Sequence, residues 1–174
     1  MQSQLNRLNR LLMQRNMLLA ALLAVIVCSV AFHYLKTQLG TLMLDEIEGY
    51  DRETLVSQLL LYGEAGRVLH AKVTLYVDMV FPLAYGALFG GLLALAGRGT
   101  RFRLAALFVV PVMLLDWTEN LQLLNLLYGF PNSTDGQIAL ASATTIAKFW
   151  AIRVALVVIL LLGLVKLGHR LRRH

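Results

Sequence analysis

Asp116, Glu119 and Asn120 fall at i, i+3 and i+4 within a stretch that is otherwise largely apolar. On an α-helix the last two lie about 60° and 40° of rotation from the first, so the three side chains share one face. Asp78 interrupts a second apolar stretch, and Lys148 and Arg153 lie in a third. Carboxyl groups so placed can act as acid, base or counter-ion, an amide can orient a polar group, and Lys or Arg can hold an anion. An ionisable side chain among hydrocarbon costs several kcal/mol unless it is paired. Asp78, Asp116, Glu119, Asn120, Lys148 and Arg153 are therefore the candidate polar site.

The set is acidic, with three carboxyls against two basic groups. The surplus has to be met by a proton, by Arg67, or by a cation such as a ligand's charged group. Three readings follow: a site that binds or acts on a lipid or other amphiphile, an accessory or scaffold protein whose buried ion pairs only orient helices, and a path for protons or ions. Arg153 is expected to bond Glu119 or Asp116 through both arms of its guanidinium, because it lies too deep to reach water comfortably. Lys148, about 140° away around the same helix, is expected near the outer boundary with its ammonium in water.

Crossing a bilayer takes about 20 mostly apolar residues in helix. Four stretches qualify, at 17–35, 73–95, 104–127 and 146–165. The composition agrees, since 58% hydrophobic and 15% charged residues in 174 is more apolar and less charged than soluble domains are. The predicted fold is a single-domain, all-α bundle of four transmembrane helices. Its net charge of +6 does not indicate nucleic acid, because the basic residues abut the apolar stretches. Arg7, Arg10, Arg15, Arg98, Arg101, Arg103, Lys166, Arg170, Arg172 and Arg173 fall on one side, and all acidic residues between the spans on the other. The positive-inside rule then predicts cytoplasmic termini, in a bacterial inner membrane or a plasma membrane. A basic start followed by an apolar stretch and Ser29-Val30-Ala31 also fits a secretory signal, but the stretch is longer than such signals use.

The external segment 36–72 carries its own pattern. Asp51 can cap a helix whose Leu55, Val56, Leu59 and Tyr62 recur at helical spacing, with Gly63 or Gly66 to end it. An amphipathic helix on the outer face is expected, either as a lid on the bundle or as a gate. Pro82 cannot donate to the carbonyl of Asp78, which frees that oxygen beside the carboxyl. Gly86, Gly90 and Ala94 form a small-residue face suited to close helix packing, within the chain or with another copy or subunit. His70 leads into the span of Asp78 and is a peripheral candidate together with Arg67. Cys28 has no partner for a disulfide within the chain. No nucleotide loop, metal or haem pattern or catalytic-serine motif occurs, so no cofactor or metal is expected.

Gly63 to Arg67 (Gly-Glu-Ala-Gly-Arg), Asp78 to Tyr85 (Asp-Met-Val-Phe-Pro-Leu-Ala-Tyr) and Asp116 to Asn120 (Asp-Trp-Thr-Glu-Asn) resemble segments of a group of small four-span membrane proteins of no established activity. Thr145 to Trp150 (Thr-Ile-Ala-Lys-Phe-Trp) belongs to the same resemblance, which covers about residues 45 to 165. It implies that these segments form one site and names no substrate. His70 stands where the group's pattern has an aromatic residue.

Overall fold

The computed structural model describes residues 2–97, 107 and 109–171 and is all-helical over them. The basic residues Arg98, Arg101, Arg103, Arg172 and Arg173, and the start of the predicted span 104–127, lie outside these residues. Among the described residues six α-helices follow in order: α1 (Gln2–Leu12), α2 (Arg15–Leu39), α3 (Arg52–Val73), α4 (Phe81–Gly97), α5 (Val109–Gly129) and α6 (Asp135–Leu171). A 3-10 turn, Leu44–Glu46, joins α2 to α3, and a π-helical turn, Thr74–Asp78, joins α3 to α4. Among the described residues three helical stretches are long and apolar enough to cross a membrane: Arg15–Leu39, Arg52–Leu95 and Asp135–Leu161. Helix α5 has the length, but Asp116, Glu119 and Asn120 dilute its apolar character.

Local chemistry sets the breaks. Helix α2 ends at Gly40, whose left-handed backbone (φ 66°) lets its N–H return to the Lys36 carbonyl at 3.0 Å. Helix α3 begins where the Asp51 carboxylate accepts the Thr54 N–H at 2.8 Å. It kinks at Gly63, whose φ of 63° and ψ of 179° only glycine adopts readily. Arg67 reaches back over the kink and donates to the Leu59 carbonyl at 3.0 Å, satisfying a group at the end of the first half. Helix α6 starts eleven residues before the stretch 146–165. Thr134 and Gln137 cap it reciprocally, with the Thr134 N–H donating to Gln137 Oε1 at 2.8 Å and the Gln137 N–H to Thr134 Oγ1 at 3.3 Å.

Two apolar layers result. In the first, Leu55, Leu59 and Tyr62 of α3 bury one face against Leu35, Leu39, Leu44, Leu123, Leu126 and Ile138. The opposite face leaves Leu60 and Leu61 exposed. The Tyr62 hydroxyl and the Gln58 amide both donate to the Leu42 carbonyl, at 2.8 and 2.6 Å, which ties this helix to the chain leaving α2. In the second layer Tyr85, Leu93, Val109 and Val112 pack with Val25, Met113 and Ile159.

The small-residue face is used within the chain. Gly86, Gly90 and Ala94 are buried, and a Cβ on Gly86 would stand 2.4 Å from the Met113 sulfur of α5. Gly91 meets the carbonyl oxygen of Leu12, where a Cβ would come within 2.6 Å, so α1 folds back onto α4. The exposed apolar side chains lie mainly along α2 and α6, among them Leu23, Val27, Val30, Val157, Leu160 and Leu164.

Candidate functional site

The π-turn at Thr74–Asp78 is where the site is assembled. The Met79 N–H bonds the Thr74 carbonyl at 3.0 Å, while the N–H groups of Val80 and Leu83 turn to nearer carbonyls, of Val77 and Val80. Pro82 has no N–H to offer Asp78. The carbonyls of Asp78 and Met79 are left over, and α5 supplies their donors. Asn120 Nδ2 bonds the Asp78 oxygen at 3.0 Å, and Trp117 Nε1 bonds the Met79 oxygen at 2.9 Å. Asn120 is fully buried. A break in one helix is thus stitched to the polar face of its neighbour, and Asp78 and Asp116 line one cavity.

Lys148 supplies the positive centre, contrary to the expectation that it lies shallow with its ammonium in water. Because α6 begins at Asp135, Lys148 is well inside the helix and buried, with its ammonium paired to Glu119 and 3.6 Å from Asp116. Arg153 corrects the second expectation. It bonds neither Glu119 nor Asp116 but turns outward to Glu48, with Nη1–Oε1 at 2.7 Å and Nη2–Oε2 at 2.5 Å, and its side chain is 47% exposed. Its guanidinium also lies 5.1 Å from the Trp150 ring centre. Rotation around α6 explains both results: Lys148 faces the polar stripe of α5, and Arg153 lies on another side of the helix.

His70 and Arg67 part company as well. Arg67 lies 4.7 Å over the Phe130 ring and plays no part in the acidic cluster. His70 is buried, with Nε2 3.8 Å from Asp45 Oδ1. Asp45, not among the residues singled out from sequence, comes from the 3-10 turn that drops onto the bundle. Burial pushes the Asp45 carboxyl up, but His70 and the charge of Lys148 outweigh it and hold the pKa below the ordinary carboxylate value. The signal for its position was the apolar Leu42-Met43-Leu44 just before it, a pattern that a solvated loop does not need.

These groups close one end of a cavity of about 360 Å³. Asp45, Asp78, Asp116 and Lys148 form its polar end, while Val25, Phe32, Phe81, Phe89, Val109 and Val112, with Ile152, Ala155, Leu156 and Ile159 of α6, form apolar walls. Along α6 the lining runs from Lys148 to Ile159, about 16 Å at 1.5 Å per residue. Helix α2 packs on α4, α4 on α5 and α5 on α6, whereas α2 and α6 hardly touch. Ile152 and Leu156 line the cavity and are also exposed, so they form its rim. Among the described residues no three of His, Cys, Asp and Glu come together to hold a metal ion.

Comparison with protein-family models, curated proteins and solved structures finds no match to this chain.

Proposed function

We propose that this chain is a four-span membrane protein with both ends cytoplasmic, whose bundle binds an amphiphile with its head at Asp78, Asp116 and Lys148. The observation that carries this reading is the form of the cavity, polar at one end, apolar along its length, and open beside α6. Such a volume is at the small end of ligand pockets, which run from about 300 to 1,000 Å³, and suits a single chain better than a bulky ring system. In this topology the polar end lies in the outer half of the bilayer, under the lid formed by the first half of α3, and the walls descend toward the cytoplasmic side.

The site offers the means for proton transfer, since Asp78, Asp116 and Glu119 surround one ammonium. Binding is the activity proposed, and no reaction type is assigned. The scaffold reading draws on the Lys148–Glu119 pair, which joins α5 to α6 as a strut would. It leaves the cavity beside that pair without a role.

Native mass spectrometry of protein extracted in a mild maltoside detergent tests the proposal. A retained amphiphile that disappears when Ala155→Trp fills the cavity supports it. Bare protein from every extraction, or adducts that survive Ala155→Trp in a folded protein, contradicts it.

A further inference from the structure

We propose that the head group held at the polar end is an organic cation, with a quaternary ammonium the best fit. This rests on the amphiphile reading above and adds the sign of the charge.

Four carboxylates, Asp45, Asp78, Asp116 and Glu119, stand around a single buried ammonium. His70, if charged, offsets one more and still leaves the acids in excess. The nearby cations are engaged elsewhere: Arg153 with Glu48, Lys36 with Glu46, and Arg67 with the Leu59 carbonyl. Lys148 is paired with Glu119 and lies 3.6 Å from Asp116. Asp78 is 7% exposed and lines the cavity, and its carboxyl has no hydrogen-bond or ion-pair partner among the described residues. A buried carboxylate without counter-charge is costly, so a proton or a cation has to complete this end of the cavity.

The walls next to Asp78 favour the cation and indicate its kind. Phe32, Phe81, Tyr85 and Phe89 form a continuous aromatic row, with successive ring centres 5.1, 5.2 and 6.4 Å apart. All four line the cavity. Aromatic faces attract a diffuse cation most strongly where water is excluded, and cages of this type accept quaternary ammonium groups. An inorganic ion is a poorer fit, because among the described residues no three acidic or histidine side chains converge closely enough to hold one.

The test uses the whole chain in dodecyl maltoside, with native mass spectrometry to measure binding of dodecyltrimethylammonium, dodecyl sulfate, neutral dodecanol and lysophosphatidylcholine. The ammonium probe should bind about tenfold or more above the sulfate and the alcohol, and Asp78→Asn should remove that margin while Asp78→Glu keeps it. Because the preference is read first in the unaltered protein, misfolding of a variant does not spare the proposal. Lysophosphatidylcholine binding as well as the free ammonium would make a lipid head group the source, and its exclusion would make the source a free cationic amphiphile; both support a cation. Equal binding of the alcohol would mean that protons neutralise the site, and equal or tighter binding of the sulfate would reverse the sign; both overturn the inference and leave the amphiphile reading standing. Failure of all four probes to bind would overturn both.

Discussion

Lys148 and Arg153 exchange the roles that depth alone assigns them. The i, i+3, i+4 face of α5 was legible because it depends only on helical rotation. The partners were not, because depth counted from an assumed helix edge placed Lys148 too near water. Removing Lys148 should now be the damaging change. Lys148→Met leaves Glu119 and Asp116 buried without counter-charge and should cost about 3–5 kcal/mol, as broken buried pairs do. Adding Glu119→Leu should recover much of this if the pair is structural, as measured by unfolding in mixed micelles of dodecyl sulfate. Arg153→Leu should change stability little, because its bond to Glu48 is exposed. Glu48 reports that bond directly. Its hydrogen bonds to Arg153 hold its carboxyl below the ordinary 4.5. A depressed acid stabilises the fold above its unfolded pKa, and the benefit is lost as pH falls through the lower folded value. Carbon-detected NMR titration of Glu48 should therefore place its midpoint below 4.5, returning toward it in Arg153→Leu.

At the scale of elements, the sequence showed that Pro82 would free the carbonyl of Asp78, and Asn120 is the group that takes it. The π-turn and the Trp117 bond to Met79 were not legible, since both depend on how α4 meets α5. Asn120→Leu should leave a buried carbonyl unsatisfied at about 1–3 kcal/mol and also misplace the Asp78 carboxyl, so amphiphile binding should fall with stability. A stable Asn120→Leu protein with unchanged binding would show that the stitch does not position the site. Gly63 affords a separate test of the first half of α3. Nothing lies within 4 Å of a Cβ there, so the penalty for Gly63→Ala comes from its φ of +63° alone. Of the order of 1–3 kcal/mol is expected, visible as faster hydrogen exchange in the first half of α3 with the rest of the bundle unchanged.

The whole molecule is a short bundle with the first half of α3 and the Leu44–Glu46 turn packed on one end. The start of α3 and its buried face were readable from Asp51, Leu55, Leu59 and Tyr62, because capping and periodicity are local. That the Leu44–Glu46 turn delivers Asp45 to the cavity was not, because it requires the packing of Leu44 among side chains distant in sequence. Reporters fused after Arg101 and at the C-terminus should read cytoplasmic, and one inserted near Glu48 external. An external C-terminus would remove the four-span arrangement. The cavity itself is tested most directly by photolabelling in lipid nanodiscs with a twelve-carbon ammonium amphiphile that carries a diazirine at the tip of its chain. Labelling should concentrate on Val25, Val109, Ile152 and Ile159, which line the cavity, and Ala155→Trp should abolish it. Labelling spread evenly over the exposed faces of α2 and α6, at residues such as Val27 and Leu160, and indifferent to Ala155→Trp would show that the amphiphile is ordinary surrounding lipid and that the cavity does not hold it.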